Sequence, residues 1–332
     1  MIRRRSSAVG LTAIVLSGMI GVVALTPTGC SHAEADPWAG TAPGKPKVLV
    51  SFAPLYSFAA SVAGSDAEVR CLLTTTGPHY HGDATPPQLA LAKGCDVFII
   101  NGLGLDDELP KGLGRGAGKE LTVLDLGSKL NKDWLLEGEC KHDHDHAGEH
   151  VHPTDPHVWL GVKYAKVMVE TIRDELKRLD PAHAAGYDDR AAKYLARLDA
   201  LEADGKKMVA AKQEKAVVSF HEALQYFGEC YGIRIAAVIE VQPGKEPTTD
   251  NLKEIVKKCQ RQNVRVIAVE PQFPRNTSAR VIRDELRSAQ PPVDAEFAEV
   301  DPLETCNPDE LSADLYEQKM RANLANLTKV LR

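Results

Sequence analysis

The sequence predicts an α/β protein of two four-stranded (β/α) lobes joined by a long rigid helix. Three observations support this prediction: short apolar runs alternate with helical segments, the alternation occurs twice, and a helical tract separates the two sets. A chain of 332 residues also suits two lobes better than one small core. Ligands of such sheets bind beyond the carboxyl ends of the strands, so we expect a site in the cleft between the lobes.

The first 30 residues have the layout of an export signal. Three arginines beginning at Arg3 precede an apolar run over residues 8–25, and small residues follow. A retained membrane anchor is the alternative, because a run of this length could almost span a bilayer. No other segment of the sequence is long and apolar enough to span one.

The end of this signal has two interpretations. Thr28-Gly29-Cys30 has the form of a bacterial lipoprotein cleavage site, which would make Cys30 the lipidated N-terminus, whereas cleavage after Ala35 would follow an ordinary signal-peptidase site. The Pro/Gly-rich residues 31–45 fit a flexible tether. We expect an exported protein, periplasmic or at the cell surface, that contacts the membrane only through its lipid or signal.

Charge and cysteine content narrow the function classes. Without the three signal arginines the chain has 37 basic against 46 acidic residues and no basic stripe, so nucleic acid is not an expected partner. Six cysteines remain besides Cys30, and an even number outside the cytosol suggests disulfides. Cys71–Cys95 and Cys140–Cys230 are two possible pairs, and free buried thiols are the alternative.

The predicted N-terminal lobe covers residues 46–180 and includes a histidine-rich loop at 140–153. Its four strand-like runs are KVLVSF (47–52), EVRCLL (68–73), DVFIIN (96–101) and LTVLD (121–125). A connecting helix is predicted over 181–212, where about 30 residues without an internal proline could reach roughly 45 Å. Such a helix resists bending more than a flexible linker does.

The predicted C-terminal lobe covers residues 213–332. Its four strand-like runs are AVVSF (216–220), IRIAAVIE (233–240), VRVIAVE (264–270) and AEFAEV (295–300). Segments rich in Leu, Ile, Lys and Glu separate them and predict helices.

Candidate metal ligands follow several of these strands. His79 and His81 come after the second strand, His221 directly after the fifth, and Asp301 after the last. His157 lies in TDPHVWL, a proline-constrained turn before a helix. Each residue alone has an ordinary structural explanation, but three imidazoles and one carboxylate together form a suitable tetrahedral set for Zn²⁺.

Motifs along nearly the whole mature chain carry a family resemblance. They are SFAPLYSFAASVAG, GPHYHGDATPPQLALAKGCDVFIINGLGLD, DPHVWL, SFHEALQYFGECYGI, EPTTDNLKEIVKKC, VEPQFPRNTSARVI and VDPL. In content and order they resemble the metal-binding lipoproteins of ABC importers for zinc and manganese (cluster A-I). By this resemblance His79, His157, His221 and Asp301 fall on the four ligand positions of the family.

The resemblance also implies which ion is transported, which protein is the partner and which cysteines form a disulfide. Manganese-type members usually have Glu where His221 stands, and a third imidazole fits Zn²⁺ better than Mn²⁺. The implied partner is a transmembrane ABC permease, and the implied protein is a monomer that performs no catalysis. Cys259 and Cys306 stand where zinc-type members often have a disulfide. PHYHGDATPP departs from the family pattern, so His81 could compete with His79 or add a contact.

The loop CKHDHDHAGEHVH alternates histidines with acids and has little to bury. Its histidines are candidate auxiliary ligands: His142, His144, His146, His150 and His152. Ordering a flexible loop on binding weakens its hold on metal. It therefore either captures zinc for the main site or is a solvated spacer.

Several other functions compete with zinc delivery to a permease. Three ligands plus water would suit a secreted zinc hydrolase, but the metalloprotease HExxH motif requires His where HEALQ has Gln225. An adhesin, or delivery of zinc to another partner, remains possible from sequence. A manganese-binding member of the same family is the nearest alternative.

Overall fold

Parallel strands alternating with helices form the first half of the chain. The computed structural model describes residues 36–79, 83–138, 154–240, 247–271 and 277–332. The first sheet has the order β2-β1-β3-β4, with every pairing parallel. Its strands are β1 (Lys47–Val50), β2 (Glu68–Cys71), β3 (Val97–Ile100) and β4 (Val123–Asp125). The connecting helices are α1 (Ala53–Ala63), α2 (Pro86–Gly94) and α3 (Leu109–Ala117).

The second half repeats this arrangement. Its sheet has the order β6-β5-β7-β8 and is again parallel throughout. The strands are β5 (Ala216–His221), β6 (Arg234–Glu240), β7 (Val266–Val269) and β8 (Glu296–Glu299). The helices are α6 (Gln225–Tyr231), α7 (Thr249–Gln262) and α8 (Thr277–Ser288). All eight predicted strands are present, and the predicted fold class is confirmed.

Three further helices connect and cover the sheets: α4 (Val162–Leu179), α5 (Ala184–Ala210) and α9 (Leu315–Val330). Helix α5 has 27 residues, which corresponds to roughly 40 Å. It packs against α1 and α4 and also against α6 and α9, so it spans both halves as expected for the connecting helix. Among the described helices none is long and apolar enough to cross a membrane.

One apolar core joins the two sheets. The same cluster contains Val48 and Phe98 of the first sheet and Val217 and Val266 of the second. A continuous core of this kind resists separation of its two halves, because opening it would expose apolar surface to water.

The structure contains no disulfide between the described cysteines. In the described ranges every cysteine is a free thiol, including Cys71 and Cys95. Cys259 is fully buried in the apolar cluster of the second sheet, whereas Cys306 packs with Ala53 and Leu315 in a separate cluster. The structure gives no support to the expected Cys259–Cys306 disulfide, because the two thiols lie in different apolar clusters. Cys140, Cys30 and the predicted signal lie outside the described residues.

Candidate metal centre

Three imidazoles and one carboxylate meet between the two sheets. His79 follows β2, His157 precedes the 3₁₀ turn that leads into α4, His221 ends β5 and Glu304 lies beyond β8. One ligand atom from each residue lies within 4.8 Å of the corresponding atoms of the others. Because both sheets direct the carboxyl ends of their strands here, the site lies at the place predicted for this fold.

The spacing around the Glu304 carboxylate suits a small cation. Its Oε1 atom lies 3.3 Å from His79 Nε2, 3.2 Å from His157 Nε2 and 3.2 Å from His221 Nε2. Four ligands about 2.0–2.1 Å from a tetrahedral zinc ion are about 3.3 Å apart. The distances from Glu304 therefore match a zinc tetrahedron, and only the imidazoles would need to move closer to one another.

Carboxylates contact the Nδ1 atoms of two of the imidazoles, on the side away from Glu304. Asp155 Oδ1 lies 2.7 Å from His157 Nδ1 and accepts a second hydrogen bond from the His157 backbone N–H at 2.9 Å. Glu270 Oε1 is the corresponding partner of His221 Nδ1. With a proton on Nδ1, each Nε2 atom has its lone pair available for a metal.

The same carboxylates govern protonation of the site. Burial alone would lower the pKa of His221, but the charge of Glu304 and a hydrogen bond to Glu270 raise that pKa well above its usual value. Burial likewise opposes protonation of His157, yet hydrogen bonds to Asp155 and Glu304 raise its pKa. The reciprocal effect overcomes the burial of Glu304 and holds its pKa well below its usual value. An incoming cation must therefore displace protons from imidazoles.

The turn that presents His157 is fixed from both halves of the molecule. Asn101 Nδ2 donates to the Pro156 carbonyl at 3.0 Å, directly before His157. Two residues after His157, the indole Nε1–H of Trp159 donates to the Pro302 carbonyl at 2.9 Å. This last hydrogen bond links the segment that carries His157 to the segment that carries Glu304.

Asp301 does not join the three imidazoles. Its Oδ1 atom accepts a hydrogen bond from the Leu303 backbone N–H at 2.8 Å, and its Oδ2 atom lies 3.2 Å from Lys319 Nζ. Leu303 has a positive φ of 64°, so the chain reverses there and brings Glu304 to the imidazoles. The structure thus groups Glu304, and not the predicted Asp301, with the three imidazoles, and a lysine and a turn engage the Asp301 carboxylate.

Three carboxylates of this site were not predicted from the sequence. Asp155 stands two residues before His157 in TDPH, a spacing that permits the observed hydrogen bond. Glu270 follows β7, the parallel neighbour of β5, so its proximity to His221 could have been anticipated. Glu304 had no comparable signal. His81 and the five loop histidines lie outside the described residues, and their assignments stay predictions.

The whole arrangement agrees with a known family. The family model described as "Zinc-uptake complex component A periplasmic" (ZnuA) matches residues 48–330. The chain belongs to this family. The zinc-binding lipoprotein AdcA of Streptococcus pneumoniae is 30% identical over 235 residues, which cover 69% of this chain and 46% of AdcA. The chain therefore spans about half the length of the curated AdcA relatives that it matches.

Solved structures of ZnuA-like proteins share the fold. The substrate-binding protein FpvC of Pseudomonas aeruginosa, in complex with Mn²⁺, aligns with a TM-score of 0.72 and 26% identity, covering 86% of this chain and 98% of FpvC. A crystal structure of ZnuA aligns with a TM-score of 0.70 and 25% identity, covering 87% of this chain and 100% of the ZnuA chain.

Proposed function

We propose that this protein captures Zn²⁺ outside the cytoplasm and passes it to a transmembrane ABC permease. The observation that carries the proposal is the convergence of three imidazole Nε2 atoms on one buried carboxylate oxygen, Glu304 Oε1. Membership of the ZnuA family and the similarity to AdcA support zinc uptake as the context of that site. His79, His157, His221 and Glu304 are the proposed ligands.

The ligand set favours Zn²⁺ over Mn²⁺. Three nitrogens and one oxygen suit a tetrahedral zinc ion, whereas Mn²⁺ prefers more ligands and a larger share of oxygen. Metal affinity should fall as the pH falls, because protons compete for the imidazoles. The relative FpvC, with its Mn²⁺ complex, makes a direct comparison of the two ions necessary.

Transport without catalysis is the proposed activity. Four protein ligands would fill a tetrahedral shell and leave no open position for an activated water. His221 ends a β-strand, and α6 begins only at Gln225, so the HEALQ segment does not form the helix that an HExxH hydrolase requires. Export, lipidation of Cys30 and loose zinc capture by the loop 140–153 are further parts of the proposal.

The proposed function is tested by binding and by uptake. Zn²⁺ and Mn²⁺ are titrated into metal-free protein by calorimetry, with wild type compared with a variant that lacks residues 142–152. One tight zinc site should survive the deletion, and manganese should bind more weakly. In zinc-limited cells, uptake of radioactive zinc should be lost when the ligands of the tight site are replaced. If deletion of the loop abolishes tight zinc binding, the loop and not the proposed centre is the tight zinc site.

A further inference from the structure

Two thiols lie beside the segments that carry His79 and Glu304. Cys71 is the last residue of β2, and His79 follows in the loop beyond that strand. Cys306 comes two residues after Glu304. Both are free in the structure and belong to opposite halves of the chain.

The backbone brings the two cysteine segments together. The Cys306 backbone N–H donates to the Thr74 carbonyl at 2.9 Å, three residues beyond Cys71. In the parallel register of the first sheet Cys71 is opposite Val50, and α1 starts only three residues later at Ala53. Cys306 packs on that same Ala53. Cys306 therefore lies at the beginning of α1, and Cys71 lies beside the end of the strand that leads into this helix.

The charge of Cys306 also acts on the Cys71 thiol. Burial raises the pKa of the Cys71 thiol, and the nearby sulfur of Cys306 raises it further. Among the described cysteines, only Cys306 has this effect on Cys71. Cys259, the partner that family resemblance suggests for Cys306, lies in the other apolar cluster.

We propose that Cys71 and Cys306 form a disulfide that ties the end of β2 to the Glu304 segment. The two thiols lose two protons and two electrons to a disulfide of a dithiol oxidoreductase, which becomes a dithiol as the new S–S bond forms. Cys306 is only 8% exposed in the folded chain, so the exchange takes place while the exported chain folds.

This cross-link would hold two proposed metal ligands together across the cleft. It closes a loop over most of the described chain, the case in which a disulfide constrains the unfolded chain most. It also restricts movement of Glu304 relative to the segment leading to His79, and a preorganised site loses less entropy on binding. This consequence for zinc, unlike the cross-link itself, rests on the proposed function.

Trypsin offers a direct test of the pairing, because each cysteine falls in a different tryptic peptide. Cys71 lies in peptide 71–93, Cys306 in 288–319 and Cys259 in 259–261. Exported protein, alkylated and digested without reductant, should yield peptide 71–93 linked to 288–319. Cys71→Ser and Cys306→Ser should each abolish this species, and Cys230→Ser should retain it. Alkylated thiols at both positions, or a link from Cys306 to Cys259, would overturn the proposal.

Zinc titration then tests the consequence. Reduction of wild type should weaken zinc binding roughly 2- to 10-fold, as expected when one or two side chains lose their preorganisation. Reduction of Cys71→Ser should change nothing. Equal affinities of oxidised and reduced wild type would refute the role in the site. If linked peptides are found but neither form binds zinc, the cross-link stands and the proposed function fails.

Discussion

The two sides of the candidate centre differ in how firmly they hold their imidazoles. His157 and His221 side chains are 6% and 5% exposed, and each rests against a carboxylate partner. His79 is 33% exposed, and its described neighbour in the site is the Glu304 carboxylate. The comparison indicates a fixed, buried pair of ligands and a third ligand at the mouth of the cleft. A captured ion would therefore meet His79 first and leave past it last.

Replacing one imidazole on each side tests this difference with the largest effect. His221→Ala should weaken zinc binding by about a thousandfold, because about 3–4 kcal/mol per ligand is typical of a tight four-ligand site. His79→Ala should weaken it only by roughly 10- to 100-fold, since water can replace an accessible ligand. Chelator competition measures both constants. Equal losses for the two variants would show that the exposed and buried imidazoles do not differ.

The carboxylate assignment gives the next largest effect. Glu304→Gln should weaken zinc binding by about a hundredfold, because the site loses its charged oxygen ligand. Asp301→Asn is the matched control and should leave zinc affinity nearly unchanged, since Asp301 engages Lys319. Unfolding curves of both variants would show whether either substitution destabilises the fold. A larger loss for Asp301→Asn would restore Asp301 as the ligand.

Supporting carboxylates should have smaller effects. Glu270→Gln should reduce zinc affinity about tenfold, because outer partners orient ligating imidazoles and raise their basicity. Glu270→Asp should recover part of this loss if hydrogen bonding to His221 is the cause. Equilibrium dialysis against zinc buffers, together with the absorption spectrum of the Co²⁺-loaded protein, separates a changed ligand field from a general loss of structure. An unchanged affinity and an unchanged spectrum would show that Glu270 does not support His221 as a ligand.

Protonation of the site should have the smallest effect. The sign of its effect on folding stability depends on whether zinc is bound. The pKa of His221 is raised in the folded metal-free protein, so its proton stabilises the fold below the usual histidine pKa. That stability is lost as the pH rises through the raised pKa. Zinc-loaded protein should instead become more stable over the same rise, because the ligands release their protons. Denaturant titrations of both forms between pH 6 and 9 would measure the opposing trends; parallel trends would contradict the account.

Local patterns explain why the fold was predictable. Runs such as VFII and AVVSF are apolar over their whole length, which identifies buried parallel strands without knowledge of the partner strands. Strand ends then locate His79 and His221, because a parallel sheet directs these ends toward one edge. The predicted histidines could therefore be grouped before the structure was known.

Contacts between distant segments explain the two places where the structure differs from the sequence-based predictions. Asp301 and Glu304 are both acids within five residues of the end of β8, and the choice between them depends on Lys319 and on the backbone reversal at Leu303. Neither feature follows from a local pattern. The same holds for Cys306, whose neighbours Ala53 and Thr74 come from the other half of the chain.

A crystal structure of the zinc-loaded protein, with anomalous data at the zinc edge, tests the central claim most directly. We expect one strong peak about 2.0–2.2 Å from Nε2 of His79, His157 and His221 and from a carboxylate oxygen of Glu304. Asp301 should keep its contact with Lys319 in that structure. A peak bound by Asp301, or by histidines of the loop 140–153 without the central imidazoles, would contradict the proposed centre.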